Sequence, residues 1–242
     1  MRAWRFLAVG LAAAAAWGGV PGAGAQSPGT MSPSFDGWVP DAAGGYTLYF
    51  GYVNRNVGEV EVPVGDGNRL EPSPSGGADD GQPTVFQPGR QRHAFRVPVP
   101  AAFEGTMVWT LDHAGRTETA TGSLDPLYVI DTSANFRGNR APRADAGPDL
   151  TVAAGTPVRL SGAVADSGPT ATDSGRARRA AAPVSAAWMR YRGPGPVTFQ
   201  PPDAAVTTAT FGLPGTYVLR LRADDSQFVS DDEVTVTVEG QR

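Results

Sequence analysis

His93 and His113 are the only two imidazoles in the chain, so any general base or nitrogen metal ligand of that kind must be one of them. His93 begins the alternating run "HAFRVPV" beside Arg92, and His113 sits in the tight turn "HAG". Neither has the spacing of a nucleophile elbow or a metal-ligand motif. Tetrahedral zinc would need more nitrogen or carboxylate ligands than the pattern brings together. Both read as ordinary surface histidines. Oxygen ligands occur at short spacing in "GDGN" and "ADDG", at Asp66, Asn68, Asp79 and Asp80. The EF-hand loop needs further acidic positions and a terminal Glu, and turn chemistry accounts for Asp, Asn and Gly here without an ion.

A second acidic stretch is "ADDSQFVSDD", Ala223 to Asp232. Asp224, Asp225, Asp231 and Asp232 could form a calcium site, a catalytic carboxylate pair or a turn between strands. Like charges facing one another across strands destabilise a sheet. Arg220 and Arg222 are placed to offset them, and Asx hydrogen bonds to the turn backbone are a second offset. Calcium takes six or more oxygen ligands, more than a hairpin supplies. The stretch reads as hairpin chemistry with surface ion pairs, and calcium is the alternative. No catalytic, cofactor-binding or metal residue is assigned, and no cofactor is expected.

Two further groups could make contacts. In "YTLYFGYVN", Tyr46, Leu48, Phe50 and Tyr52 share one face of a strand, while Thr47 and Tyr49 share the other. Core packing is the reading for the first face; a sugar-stacking platform would need a flat exposed aromatic patch. Arg176, Arg178 and Arg179 in "GRARR" read as a solvated loop; the alternative is a basic contact for an anionic glycan or an acidic partner.

The elements that position these residues are strands. The 242 residues include 31 Gly and 22 Pro, and no Cys. That composition favours turns over long helices, and disulfide or thiolate chemistry is excluded. Every basic residue is Arg, and the net charge of −4 argues against a nucleic-acid binder. "MRAWRFLAVGLAAAAAWGGVPGAGAQ" has the positive start, the short apolar core and the small residues of a secretory signal cleaved before Gln26. No other apolar run is long enough to span a membrane.

Residues 1–25 are therefore expected to be a signal peptide and 26–34 a flexible lead-in. Residues 35–131 form a first β-sandwich, 132–144 a linker and 145–240 a second sandwich. "TMVWTLD" and "GRTETATGSL" predict a hairpin, Gly65 to Pro83 a long loop, and "PLYVID" the close of the first domain. Pro63 and Pro98 mark edge strands or bulges. A polar stretch from Ala163 to Pro183 precedes "VSAAWMRYR".

Alternation in the last strands is clean. Tyr217, Leu219, Leu221 and Ala223 point inward, and so do Val234, Val236 and Val238; Val218, Arg220 and Arg222 point the other way. Trp188 occupies a core position, Tyr217 a tyrosine corner, and Leu219 stands where an antibody domain has cysteine, with Leu160 its partner on the opposite sheet. "APRADAGPDLTVAAGTPVRLSG", "GPGPVTF", "TATFGLPGTYVLRLRADD" and "SDDEVTVTV" follow in the order of bacterial PKD-type domains, which this half resembles from about Pro142 to Glu239. The resemblance implies a seven-stranded immunoglobulin-like sandwich without catalytic machinery, used as a spacer or to contact proteins or carbohydrates. The longer, Arg-bearing segment before the Trp strand departs from the family, and Ser226 stands where it often has Gly. "YFGYVNRN" and "GQPTVF…PGRQRHAFRVPVP" are more weakly similar to secreted bacterial proteins of unknown function, which transfers no activity.

The fold class expected is all-β, two immunoglobulin-like β-sandwich domains after a signal peptide. The function expected is a non-enzymatic secreted or periplasmic module for protein interaction, adhesion or spacing. A carbohydrate-binding accessory protein is the alternative, and a hydrolase in the first domain a third reading. The partner would be a cell-envelope or extracellular protein or glycan, with no nucleic acid and no membrane span in the mature chain.

Overall fold

The computed structural model describes residues 29–130, 141–166, 184–226 and 228–240. The first sandwich is built from β1 (Met31–Pro40), β2 (Tyr46–Asn54), β3 (Val60–Glu61), β4 (Asn68–Glu71), β5 (Val85–Phe86), β6 (Gly89–Val99), β7 (Thr106–His113) and β8 (Arg116–Ser123). One sheet has the order β1-β2-β6, the facing sheet β4-β7-β8, and β3 pairs with β5. Leu48, Phe50 and Tyr52 of β2 and Met107, Trp109 and Leu111 of β7 are buried between them. The Phe50 ring stacks on Phe95 at 5.4 Å, and Phe95 meets Trp109 edge-on at 4.8 Å. β7 and β8 form the predicted hairpin. Its turn residues Ala114 and Gly115 both have positive φ, 51° and 74°, the turn geometry that matches strand twist.

The second sandwich contains β9 (Arg143–Asp145), β10 (Leu150–Ala153), β11 (Val158–Ser161), β12 (Ala163–Ala165), β13 (Ser185–Arg192), β14 (Val197–Gln200), β15 (Val206–Phe211), β16 (Gly215–Asp224) and β17 (Val229–Glu239). Its sheets are β10-β17-β16-β13 and β11-β15-β14, with β9 paired to β12. The opening segment pairs first with β12 through β9, and β10 then runs parallel to the last strand, β17. With Greek-key connections, that is immunoglobulin topology. The chain is thus all-β with two immunoglobulin-like sandwiches, as the alternation implied. Trp188, Tyr217, Leu219, Leu221 and Leu160 lie in the second core. The Tyr217 hydroxyl donates to the Leu213 carbonyl at 2.7 Å, closing the tyrosine corner. Gly193 permits it: a Cβ there would collide with the Tyr217 ring.

Several expectations change. The lead-in is strand from Met31 onward, because Met31 is buried and β1 pairs with β2 along its length. β9 starts at Arg143, so the last residues assigned to the linker belong to a sheet. The loop from Gly65 to Pro83 contains β4, held by both apolar and polar burial: Leu70 lies in the first core, and Asn68 donates to the carbonyls of Val62 and Pro83 and accepts from Trp109 Nε1. The polar stretch after Gly162 begins with β12. In "PLYVID", Pro126–Tyr128 form a 3-10 turn and Ile130 donates to the Trp38 carbonyl, so the stretch ends against β1 of the first sandwich, with Asp131 outside the described residues. Pro98 does lie on an edge strand, β6. The signal peptide, most of the linker and the arginines at 176, 178 and 179 lie outside the described residues.

Candidate functional site: the seam between the sandwiches

The outer face of β13, β16 and β17 is only partly open to solvent. It meets the first sandwich. The contact begins at a β-bulge: the register of β13 against β16 shifts between Arg190 and Arg192, leaving Tyr191 as the extra residue. A bulge re-aims a side chain, and Tyr191, 5% exposed, joins the core of the first sandwich. Its hydroxyl donates to the Gly81 carbonyl at 2.5 Å, and its own carbonyl accepts from Thr84 N. Burial pushes the phenol pKa up to about 12.

Arginines flank this anchor. Arg190, 3% exposed, donates from Nη2 to Glu59 Oε2 at 2.8 Å and Glu61 Oε1 at 2.5 Å, and from Nη1 to the Gly195 carbonyl. Arg192 makes a two-pronged pair with Asp79 at 2.7 and 2.8 Å and donates to the Gln82 carbonyl. The Arg192 hydrogen bond holds the Asp79 carboxyl below the usual carboxylate range. The segment carrying Asp79 is pinned from beneath: Gln82 donates to the Asn68 and Ala78 carbonyls and accepts from Asp80 N.

Further along the seam, Arg220 lies 3.7 Å from the centre of the Tyr191 ring. It donates to Glu233 and, across the seam, to the Ala94 carbonyl. Arg222 pairs with both oxygens of Asp231 at 2.8 Å and with Gln91 Oε1 of the first sandwich at 2.7 Å. Val218, on the same face, packs against the first core.

Beside these contacts the seam opens into a cleft of about 470 Å³. Tyr49, His93 and Arg96 form one wall, Arg220, Asp231 and Glu233 the other. The Tyr49 and His93 rings lie 5.1 Å apart. His93 has a positive φ of 49° where the β2–β6 register shifts, and its backbone N donates to Asp36 Oδ2 at 2.7 Å. Gly51 opposite leaves room for that carboxylate; a Cβ would overlap it. Burial lowers the His93 pKa, opposed by the charge of Asp36.

The sequence candidates separate accordingly. His93 is half-buried and lines the cleft, so it is not an ordinary surface histidine; His113 stays in its hairpin turn. Among the described residues neither imidazole is hydrogen-bonded to a carboxylate or hydroxyl, and no three His, Asp or Glu converge on a metal position. Asp66 and Asn68 stay within the first sandwich. Asp79 crosses to Arg192, and Asp80 accepts from Ser73 and Ser75. In the final hairpin the aspartates do not face one another. Asp231 faces Arg222 and Asp232 faces Leu221. Asp232 accepts from Ala146 N, Asp224 from Ser226 N and Asp225 from Phe228 N. Asx turns and ion pairs thus explain the stretch, but the ion pairs sit in the seam instead of on the surface. Leu48, Phe50 and Tyr52 are core and Tyr46 packs edge-on against Trp38, so no flat aromatic platform forms. Tyr49 alone turns to the cleft. Arg190, Tyr191, Arg192, Glu59 and Glu61 were missed, although "RYR" breaks alternation at the end of the Trp strand and "EVE" repeats an acid on one face.

With this topology in hand, the class is a tandem of immunoglobulin-like sandwiches. The chain is similar in structure to the PKD domain of the KIAA 1837 protein, at 27% identity over 40% of this chain and 86% of that one, TM-score 0.29. It is similar to the PKD domain of human KIAA0319, at 18% identity over 47% and 94%, TM-score 0.32. It is also similar to the tandem Ig repeats of Dlar, at 9% identity over 89% and 100%, TM-score 0.34. No family model matches the chain, and no curated protein matches it. Among the described residues no helix is long and apolar enough to cross a membrane.

Proposed function

We propose that the protein is a non-enzymatic interaction module of the cell exterior or periplasm, in which a PKD-type second sandwich carries the first sandwich in a fixed orientation toward a protein partner. The observation that carries this reading is the seam. Tyr191 and four arginines of the second domain are buried in or paired with the first, which is more than a flexible linker between independent domains would require. Fixed orientation serves spacing and adhesion, where reach and presentation matter more than chemistry. The secretory signal at the N-terminus supports export, and N-terminal sequencing of the exported protein should begin at Gln26.

Affinity capture from a cell-envelope extract tests the function. The full chain should retain a specific partner that an Arg190→Ala/Arg192→Ala variant, with its seam loosened, retains less well. Hydrolytic turnover of ester, glycoside or peptide substrates by the purified chain would overturn the reading.

A further inference from the structure

We propose that the cleft between the sandwiches is a binding site for a neutral, pyranose-type sugar unit. Its volume of about 470 Å³ lies within the range of small-ligand pockets. The cleft combines an aromatic face with hydrogen-bonding groups of both kinds. Tyr49 points away from the first core, and its ring offers a face to the cleft beside the His93 ring, which is tilted 55° to it. Such a face packs against the C–H side of a sugar ring.

Hydroxyl groups both donate and accept, and both needs are met. Glu233 commits Oε1 to Arg220 and leaves Oε2 to accept; Ser230 also lines the cleft. Arg96, exposed on β6, has no ion-pair partner among the described residues and supplies the donors.

Charge selects the neutral form. Asp231, Asp232 and Glu233 offset Arg96 and Arg220, and Glu233 is already paired with Arg220, so the cleft has no strong net charge to draw an ionic ligand. An extended peptide adding to β6 would meet Pro98, which has no N–H to offer. The seam also fixes the far wall in advance, because Arg220 is already held by Glu233, the Ala94 carbonyl and the Tyr191 ring. Less ordering is then lost on binding. The inference needs the closed seam but not a protein partner.

NMR titration of the full chain with glucose, galactose, N-acetylglucosamine and cellobiose tests it, with glucuronate and a basic extended peptide as further arms. At least one neutral sugar should give saturable shifts at the cleft with a Kd in the millimolar range. Glucuronate should bind about tenfold or more weakly. Tyr49→Ala and the exposed Arg96→Gln should each weaken sugar binding about tenfold, Tyr49→Phe should retain it, and Tyr128→Ala, outside the cleft, should leave it unchanged. The proposal fails if no neutral sugar saturates by about 50 mM. Equal binding of glucuronate, indifference to both Tyr49→Ala and Arg96→Gln, or a response to the peptide alone would also overturn it. Scattering that shows a closed seam alongside a silent titration rejects the sugar site and leaves the interaction module standing.

Discussion

On one face of β16, Tyr217, Leu219 and Leu221 are fully buried in their own sandwich; on the other, Arg220 is 6% exposed beneath a different sandwich. These two sets of side chains are kept from water by opposite means. The apolar face is non-directional and contributes about 1.5–3 kcal/mol for each large side chain. The cationic face gives little net stability, because the desolvation of buried charges nearly cancels their attraction. What it does give is geometry, since each guanidinium accepts only one arrangement of carboxylates and carbonyls. The inner face therefore holds a domain together and the outer face fixes how two domains sit.

Substitutions along this strand should separate the two roles. Leu219→Ala should lower the stability of the second sandwich by about 2–5 kcal/mol in denaturant unfolding, with domain orientation unchanged while it remains folded. A loss under about 1 kcal/mol would mean that the inner face is not the stability core. Arg220→Ala should cost about 2–4 kcal/mol, since it strips the Ala94 carbonyl of a donor and leaves Glu233 without its partner at the seam. Arg220→Met should recover most of that stability but not the orientation, and a variant that recovered both would erase the distinction between the faces. Tyr191→Phe, which removes only the hydrogen bond to Gly81, should cost about 1 kcal/mol.

Acid should act on the seam before the core. The His93 pKa in the folded chain lies below the ordinary 6.5 because of burial, so the unfolded chain takes up the proton first. Stability should fall as the pH drops below 6.5 and level off beneath the folded pKa. The Asp79 pKa is held below 3.8 by Arg192. Its contribution is present above 3.8 and lost as the pH falls through the lower folded value. Melting temperatures against pH should show the first decline vanish in His93→Gln and the second shrink in Asp79→Asn.

Periodicity exposed the inner face well. Tyr217, Leu219, Leu221, Val234, Val236 and Val238 all read as inward, and all are buried. The cross-strand offset of Asp231 by Arg222 was legible too, because partners in a hairpin follow from register. Alternation could not say what covers the outer face. Arg and Glu look the same in sequence whether they meet water or a second domain, so the seam was read as surface. The bulge at Tyr191 was hidden for a related reason: one extra residue breaks the period without changing composition. β4 escaped because one of its two buried side chains, Asn68, is an amide that satisfies backbone carbonyls, where a strand signal depends on apolar side chains.

Residual dipolar couplings measured on both sandwiches of the intact chain report directly whether the seam fixes their relative orientation. A rigid seam should give one alignment tensor for the two domains, in the orientation set by Arg190, Tyr191 and Arg192, and two tensors once those three are changed to alanine. Two independent tensors in the unaltered protein would contradict it.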